Sequence, residues 1–196
     1  MHPDPTHAPG GIVNRPPLGE WNVIATAHEN GFRRCRELLQ RFGPVAGTRY
    51  FNVLVLLADD ILLVLETLRL QAAAHPETFS ALSRVIPVTQ RFNFQTPEDF
   101  EDGARRIAGR LAPQLAGKGF HVRMHRRGFK GRLSSPEVER LLDDVILAQL
   151  EKAGTPGRIN FDRPDAIVAV ETLGTEGGLS LWTRAELDAY PFLGLD

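Results

Sequence analysis

The sequence predicts an α/β (α+β) fold, with strands and helices alternating in both halves of the chain. Three observations carry this reading. Apolar, β-rich runs at residues 21–26 and 50–57 are each followed by a helical stretch. Residues 120–125, Phe-His-Val-Arg-Met-His, alternate strictly between apolar and basic and lead to a helix start. Ala166–Val170 is apolar throughout, the pattern of a central strand covered on both faces.

At 196 residues, with 42% apolar and 24% charged residues, the chain can bury a sizeable core as one domain or two. Its single cysteine, Cys35, excludes an internal disulfide and reads as a partly buried helix thiol in a reducing compartment. The neighbouring Arg33, Arg34 and Arg36 are placed to lower its pKa. Residues 1–19 hold five prolines and lack the basic and apolar regions of a secretion signal, so a disordered leader is expected. His2 and His7 within it have no partners that would make a metal site. The apolar run 53–70 is broken by Asp59, Asp60, Glu66 and Arg69, which excludes a membrane span. A cytoplasmic protein with no membrane partner is expected.

In the first half, Trp21–Thr26 is a strand and is followed by a helix through Arg34–Phe42, which stops at Gly43-Pro44. Tyr50–Leu57 reads as a buried strand. Asp59 or Asp60 then caps a helix to about Ala74, ended near His75-Pro76. This strand–helix–strand–helix order predicts a ferredoxin-like N-terminal unit over residues 20–78. Ser83–Phe94 is expected to be an extended connection, because Pro87 argues against a helix.

The second unit, residues 79–196, opens with Thr96-Pro97-Glu98-Asp99: an N-cap residue, a proline at the first helical position and acids in the first turn. That helix places Phe100, Ala104, Ile107, Ala108 and Leu111 on one face and ends or bends at Pro113. In the strand that follows, Phe120, Val122 and Met124 face the core while His121, Arg123 and His125 face the other side. A glycine-punctuated loop, 126–133, leads to a helix with the apolar stripe Val138, Leu141, Leu142, Val145, Ile146 and Leu150. Either Ser134 or Ser135 can cap it: Pro136 suits the first helical position after Ser135, and Ser134 with Glu137 has capping-box spacing. The strand 166–170, a glycine turn at 174–178 and an alternating strand at 179–183 complete a right-handed βαβ crossover and a hairpin.

Charge is segregated along this chain. Six of its 23 Lys and Arg lie in Lys118–Arg132, which contains no Asp or Glu, while the net charge of the whole is −1. Such segregation costs self-repulsion and points to a polyanionic partner. The segment also runs into a helix start, whose unpaired N–H groups and positive dipole end suit a phosphate. Gly128 and Gly131 would let backbone approach a ligand, and Arg126, Arg127, Lys130 and Arg132 surround the seat. Glu137 partly opposes it by competing for the same donors. Gly128–Gly131 matches a GxxG pattern, but it follows a strand and does not join two helices, which excludes a KH fold.

Catalytic signatures are absent: there is no GxSxG elbow, Walker loop, helix-opening GxGxxG or CxxC pair. Asp59-Asp60 and Asp143-Asp144 are explained by capping and solvation. Phe92, Phe94, Phe129 and Trp182 offer stacking surfaces for bases, although aromatics in such positions usually pack cores.

The stretches FHVRMHRRGFKGRLSSPEVERLLDDVILAQL and INFDRPDAIVAVETLG, with Phe161–Asp165 as a Phe-x-x-Pro-Asp segment, resemble a THUMP domain. That module occurs in RNA-modifying enzymes such as 4-thiouridine synthases and several tRNA methyltransferases. The resemblance covers about residues 80–190 and implies a THUMP-like mixed sheet with flanking helices. A preceding ferredoxin-like unit without a catalytic domain looks most like the stand-alone THUMP proteins, including an adaptor that presents tRNA to an RNA acetyltransferase. It implies binding of the tRNA acceptor region through Arg123, Arg126, Arg127, Lys130 and Arg132, with Lys118, His125, Gly128 and Gly131 beside them. It further implies an adaptor or substrate-recognition subunit with no cofactor, no metal and no enzymatic activity of its own, since the methyl-donor site and PP-loop are missing. Two alternatives stay open: a protein-interaction module docking an acidic partner, and an enzyme acting on a small anionic ligand.

Overall fold

The computed structural model describes residues 20–195. The expected leader, 1–19, with His2 and His7, lies outside the described residues. No helix among those described is long and apolar enough to cross a membrane.

The first unit contains β1 (Val23–Ala27), α1 (Phe32–Leu39), β2 (Val45–Gly47), β3 (Val53–Leu56), α2 (Ile61–Ala74) and β4 (Leu82–Pro87). The strands form an antiparallel sheet in the order β2-β3-β1-β4. This is a complete ferredoxin-like βαββαβ arrangement. Asp60 is the α2 cap, its side chain accepting from the Leu63 N–H. Three strands differ from the sequence reading. β2 is only three residues long, and the expected connection 83–94 is in fact β4 and β5 (Gln90–Asn93), one in each sheet. Pro87 is tolerated because β4 is an edge strand and Pro87 ends it.

The second unit contains β5, α3 (Pro97–Leu111), β6 (Gly119–His125), α4 (Ser135–Lys152), β7 (Arg158–Ile159), β8 (Ala166–Leu173), β9 (Glu176–Thr183) and α5 (Arg184–Ala189). The sheet order is β5-β9-β8-β6-β7, with β6 parallel to β8 and β7 and the other pairs antiparallel. α4 is the crossover between β6 and β8. The fold class read from the sequence, two sheets with flanking helices, is the one found. Gly177 and Gly178 belong to β9 and not to the turn, which is Gly174-Thr175. A Cβ at Gly177 would stand 2.7 Å from the Phe92 ring, and one at Gly178 would stand 2.2 Å from a Val88 methyl. Close cross-strand packing selects those glycines.

The two faces of the second sheet have different partners. Phe120, Val122, Met124, Ala166, Val168 and Val170 pack under α3 and α4. Ile167, Ala169 and Trp182 join the core of the first unit, together with Leu187, Tyr190, Phe192, Leu193 and Leu195 of the C-terminal segment. The two units therefore share one core, which fixes the loop after β6 against the first unit.

Candidate nucleic-acid interface

The basic segment divides into side chains committed to the fold and side chains left at the surface. Glu171 on β8 organises the first group. It is 1% exposed, directly opposite His125 in the β6–β8 register. The His125 ring Nδ1 lies 3.0 Å from one Glu171 oxygen, and the Arg127 guanidinium pairs with the other. Burial pushes the Glu171 carboxyl up, but the His125 hydrogen bond and the charges of Arg127, His125 and Arg84 outweigh it and hold the group below its ordinary range. Arg127 also donates to the Thr26 hydroxyl on β1 at 3.2 Å. It is a strut between the units, only 10% exposed, and is not available to a phosphate.

His121 is buried as well, where the sequence pattern placed it on a solvated face. Its Nδ1 donates to the Asn160 carbonyl at 2.9 Å, and its ring packs against Phe161. Of the aromatics considered for stacking, Phe94 and Trp182 are 2% and 4% exposed, Phe92 packs on Phe94 and Phe100, and Phe129 packs on Phe94 at 4.9 Å. All four belong to the core or its margin. Cys35 is fully buried, and burial pushes its thiol up to about 12, against the expected lowering by neighbouring arginines.

The second group is Arg123, Lys130 and Arg132, all exposed, with Arg126 and Lys118 half-buried. Arg123 and Lys130 form no ion pair among the described residues. Arg126 donates to the Gly128 carbonyl, and the Arg132 guanidinium lies 4.7 Å above the Phe129 ring. The loop owes its shape to three positive-φ positions: Gly128 (φ 103°), Phe129 (φ 50°) and Gly131 (φ 76°). Gly128 is closed off, since a Cβ there would stand 2.8 Å from the Tyr50 hydroxyl and 3.1 Å from the Gly174 Cα. Gly131 faces open space.

That packing brings in a residue the sequence reading missed. Arg49, exposed at the β2–β3 turn, holds the Tyr50 hydroxyl at 3.1–3.2 Å and lies beside Gly174. It therefore joins the rim of the 126–132 loop from the first unit. No local pattern marks Arg49, because only the tertiary contact brings it there.

Ser134 is the N-cap residue of α4 but makes no side-chain cap bond, so the Ser134–Glu137 capping box does not form. Thr96 with Asp99 and Thr183 with Glu186 do form such boxes at α3 and α5. The first turn of α4 thus has no capping side chain on its N–H groups. Glu137 and Glu101 do share a cleft with Arg132 and Ser134, so acid stands on the α3 side of the helix start.

No family model matches this sequence, and no curated protein is significantly similar to it. Solved structures do share the fold. PH1313 from Pyrococcus horikoshii Ot3 has a TM-score of 0.57 at 12% identity, with 82% of this chain and 53% of that chain covered. A 4-thiouridine synthetase in complex with RNA and ATP has a TM-score of 0.50 at 13% identity over 84% of this chain and 42% of that one. SMU.472, described as a methyltransferase and complexed with SAH, has a TM-score of 0.51 at 15% identity over 82% and 41%. The chain spans about half the length of these structures or less. The expectation of a protein that is not an enzyme is corrected by this comparison. The same fold occurs within a protein described as a methyltransferase and complexed with SAH, so the missing donor site in these residues is no argument against catalysis.

Proposed function

We propose that the described residues are the RNA-recognition unit of an RNA-modifying activity, of THUMP type, taking structured RNA through the tRNA acceptor region. The observation that carries this is that Arg126, Lys130 and Arg132 lie in the glycine loop leading to the start of α4, which has no side-chain cap, with Arg123 exposed on β6 just before it and Arg49 beside Gly174 at its rim. A helix start without a capping side chain, beside cations that form no ion pair among the described residues, suits a phosphate diester. With Glu101 and Glu137 on the α3 side of the helix start, the Arg49 side of the loop suits a phosphate better. The THUMP resemblance of the sequence and the fold shared with an RNA-bound 4-thiouridine synthetase support the same reading. In such a system the unit would act as a substrate-recognition subunit or domain; a tRNA acetyltransferase is one partner the resemblance suggests.

Phosphate contacts of this kind release counterions, so affinity should fall with salt. Five contacts give a slope of log K against log[salt] on the order of −4. The test is a mobility-shift titration of total tRNA at several salt concentrations with wild type and an Arg123→Ala/Lys130→Ala/Arg132→Ala variant. Weaker binding and a slope shallower by about 2 to 3 are expected of the variant. Equal binding by both proteins would remove this site, and no binding by either would remove the RNA reading. Arg127 is kept out of the variant because it supports the fold.

A further inference from the structure

Phe161 is 71% exposed, yet the backbone on both sides of it is fixed. The Asn160 N–H donates to the Phe120 carbonyl at 2.9 Å, and its own carbonyl accepts from His121 Nδ1 at 2.9 Å. The Asn160 side chain closes the turn, its Oδ1 accepting from the Asp162 N–H at 3.1 Å and its Nδ2 donating to the Arg163 carbonyl at 2.9 Å. On the far side, Pro164 is buried and its carbonyl accepts from Arg184 at 3.0 Å. The Phe161 ring itself rests on the His121 ring, with centroids 5.1 Å apart. One face of an aromatic ring is thus held out to solvent from a braced support.

Its surroundings say what that face suits. The other large exposed apolar side chains, Phe51, Leu62, Leu63 and Leu70, all belong to the first unit, so Phe161 is an isolated ring and not part of an apolar patch. A protein interface needs a much larger contiguous area, whereas a single ring matches a single base. Arg123 stands two residues beyond His121 on the same face of β6, and Arg158 and Arg163 are exposed at the turn. The acids nearby do not dominate: Asp165 is engaged by the Gly119 N–H at 2.7 Å and faces Arg158 at 3.9 Å, Asp188 faces Arg163 at 4.0 Å, and Asp162 has no ion pair among the described residues. From His121 to Arg126 is five strand residues, roughly 17 Å at 3.3 Å per residue. That distance separates the ring from the phosphate seat by a few nucleotides of extended chain.

We propose that Phe161 is a stacking platform for an unpaired nucleobase, its backbone passing Arg123 toward the 126–132 loop. This rests on the RNA reading above and adds a base contact at the opposite end of β6, on a residue outside the basic segment. Stacking of a base on an aromatic side chain is sequence-tolerant and insensitive to salt compared with phosphate contacts. Replacing Phe161 by Ala should therefore weaken binding roughly 5- to 100-fold without changing the salt slope.

The test uses an RNA hairpin carrying an unpaired 3′ tail and the same hairpin blunt-ended, titrated against wild type, Phe161→Ala and Phe161→Trp. Phe161→Ala is expected to lose affinity for the tailed hairpin only, its unchanged binding to the blunt one serving as the control for folding. The Phe161→Trp emission is expected to be quenched by the tailed hairpin and not by the blunt one; Trp21 and Trp182 are buried and contribute little to the change. Tailed-hairpin binding by wild type that survives unaltered in Phe161→Ala would overturn the platform while leaving the RNA reading intact. Wild type that binds neither hairpin would overturn both.

Discussion

Glu171 shows how one buried acid decides the role of its basic neighbours. Arg127 and His125 belong to the most basic stretch of the chain, yet both turn inward to it, and Arg127 reaches on to Thr26. A buried pair of this kind is costly to break, because removing one partner strands the other charge away from water. Glu171→Gln is expected to lower unfolding free energy by about 3 kcal/mol near neutral pH, read from urea denaturation. The pH dependence has a definite sign. A carboxyl held below its ordinary value of 4.5 contributes stability that is present above that value and lost as pH falls below it. The gap between wild type and variant should therefore narrow below about pH 4. A gap that stays constant down to pH 3 would place the stabilisation elsewhere. Charge along the sequence revealed the basic cluster. It could not say which members face outward, because that depends on an acid 44 residues from Arg127 in sequence.

Among the elements, β6 and α4 form the most informative pair. β7 pairs with only Gly119 and Phe120, so the rest of that β6 edge lacks a neighbouring strand. α4 covers it with side chains: Asp143 accepts from the Val122 N–H at 2.9 Å and Glu139 from the Met124 N–H at 2.7 Å. Asp143 is buried, and burial pushes its carboxyl up to about 7, with the Val122 hydrogen bond opposing and the charges of Glu139 and Asp144 adding. A raised carboxyl stabilises the fold fully below its unfolded value near 3.8, and that contribution is lost as pH rises through about 7. Asp143→Asn keeps the acceptor oxygen and removes the ionisation. The variant should match wild type near pH 3.5, below the unfolded value, and exceed its thermal midpoint at pH 8.5. A wild type whose advantage over the variant grows with pH would refute the assignment. The helices were legible in the sequence because their caps and stripes are local: Asp60, Thr96-Pro97 and the 100–111 face all stand as read. What escaped reading depends on tertiary packing. Asp143 looked like a solvated helix acid, β4 and β5 looked like linker because Pro87 hid an edge strand, and Gly177-Gly178 looked like a turn because Phe92 lies far away in sequence.

At the scale of the whole molecule, the two sheets are too closely joined to behave as separate domains. Ile167, Ala169 and Trp182 of the second sheet and Leu187, Tyr190, Phe192, Leu193 and Leu195 of the C-terminal segment complete the core of the first. Polar contacts reinforce the joint: Trp21 Nε1 donates to Glu176 at 3.1 Å, and Arg91 lies 4.5 Å above the Trp21 ring and pairs with Glu176 at 2.8 Å. Such coupling matters for the proposed recognition, since Arg49 belongs to the first unit and the 126–132 loop to the second. A shared core implies one cooperative unfolding transition. The two tryptophans allow a direct test, because Trp21 packs with Ile24, Val53 and Val55 of the first sheet, while Trp182 is the side chain of β9 that enters the shared core from the second. In single-tryptophan variants, Trp21→Phe and Trp182→Phe, the fluorescence midpoint in urea should coincide with that of far-UV circular dichroism on the same variant. Leu193→Ala, at a position 1% exposed where the C-terminal segment enters this core, should cost about 2–4 kcal/mol and move both probes together. If only the Trp21 signal shifts, the first unit melts on its own, and the rigid placement of Arg49 beside the loop fails with it.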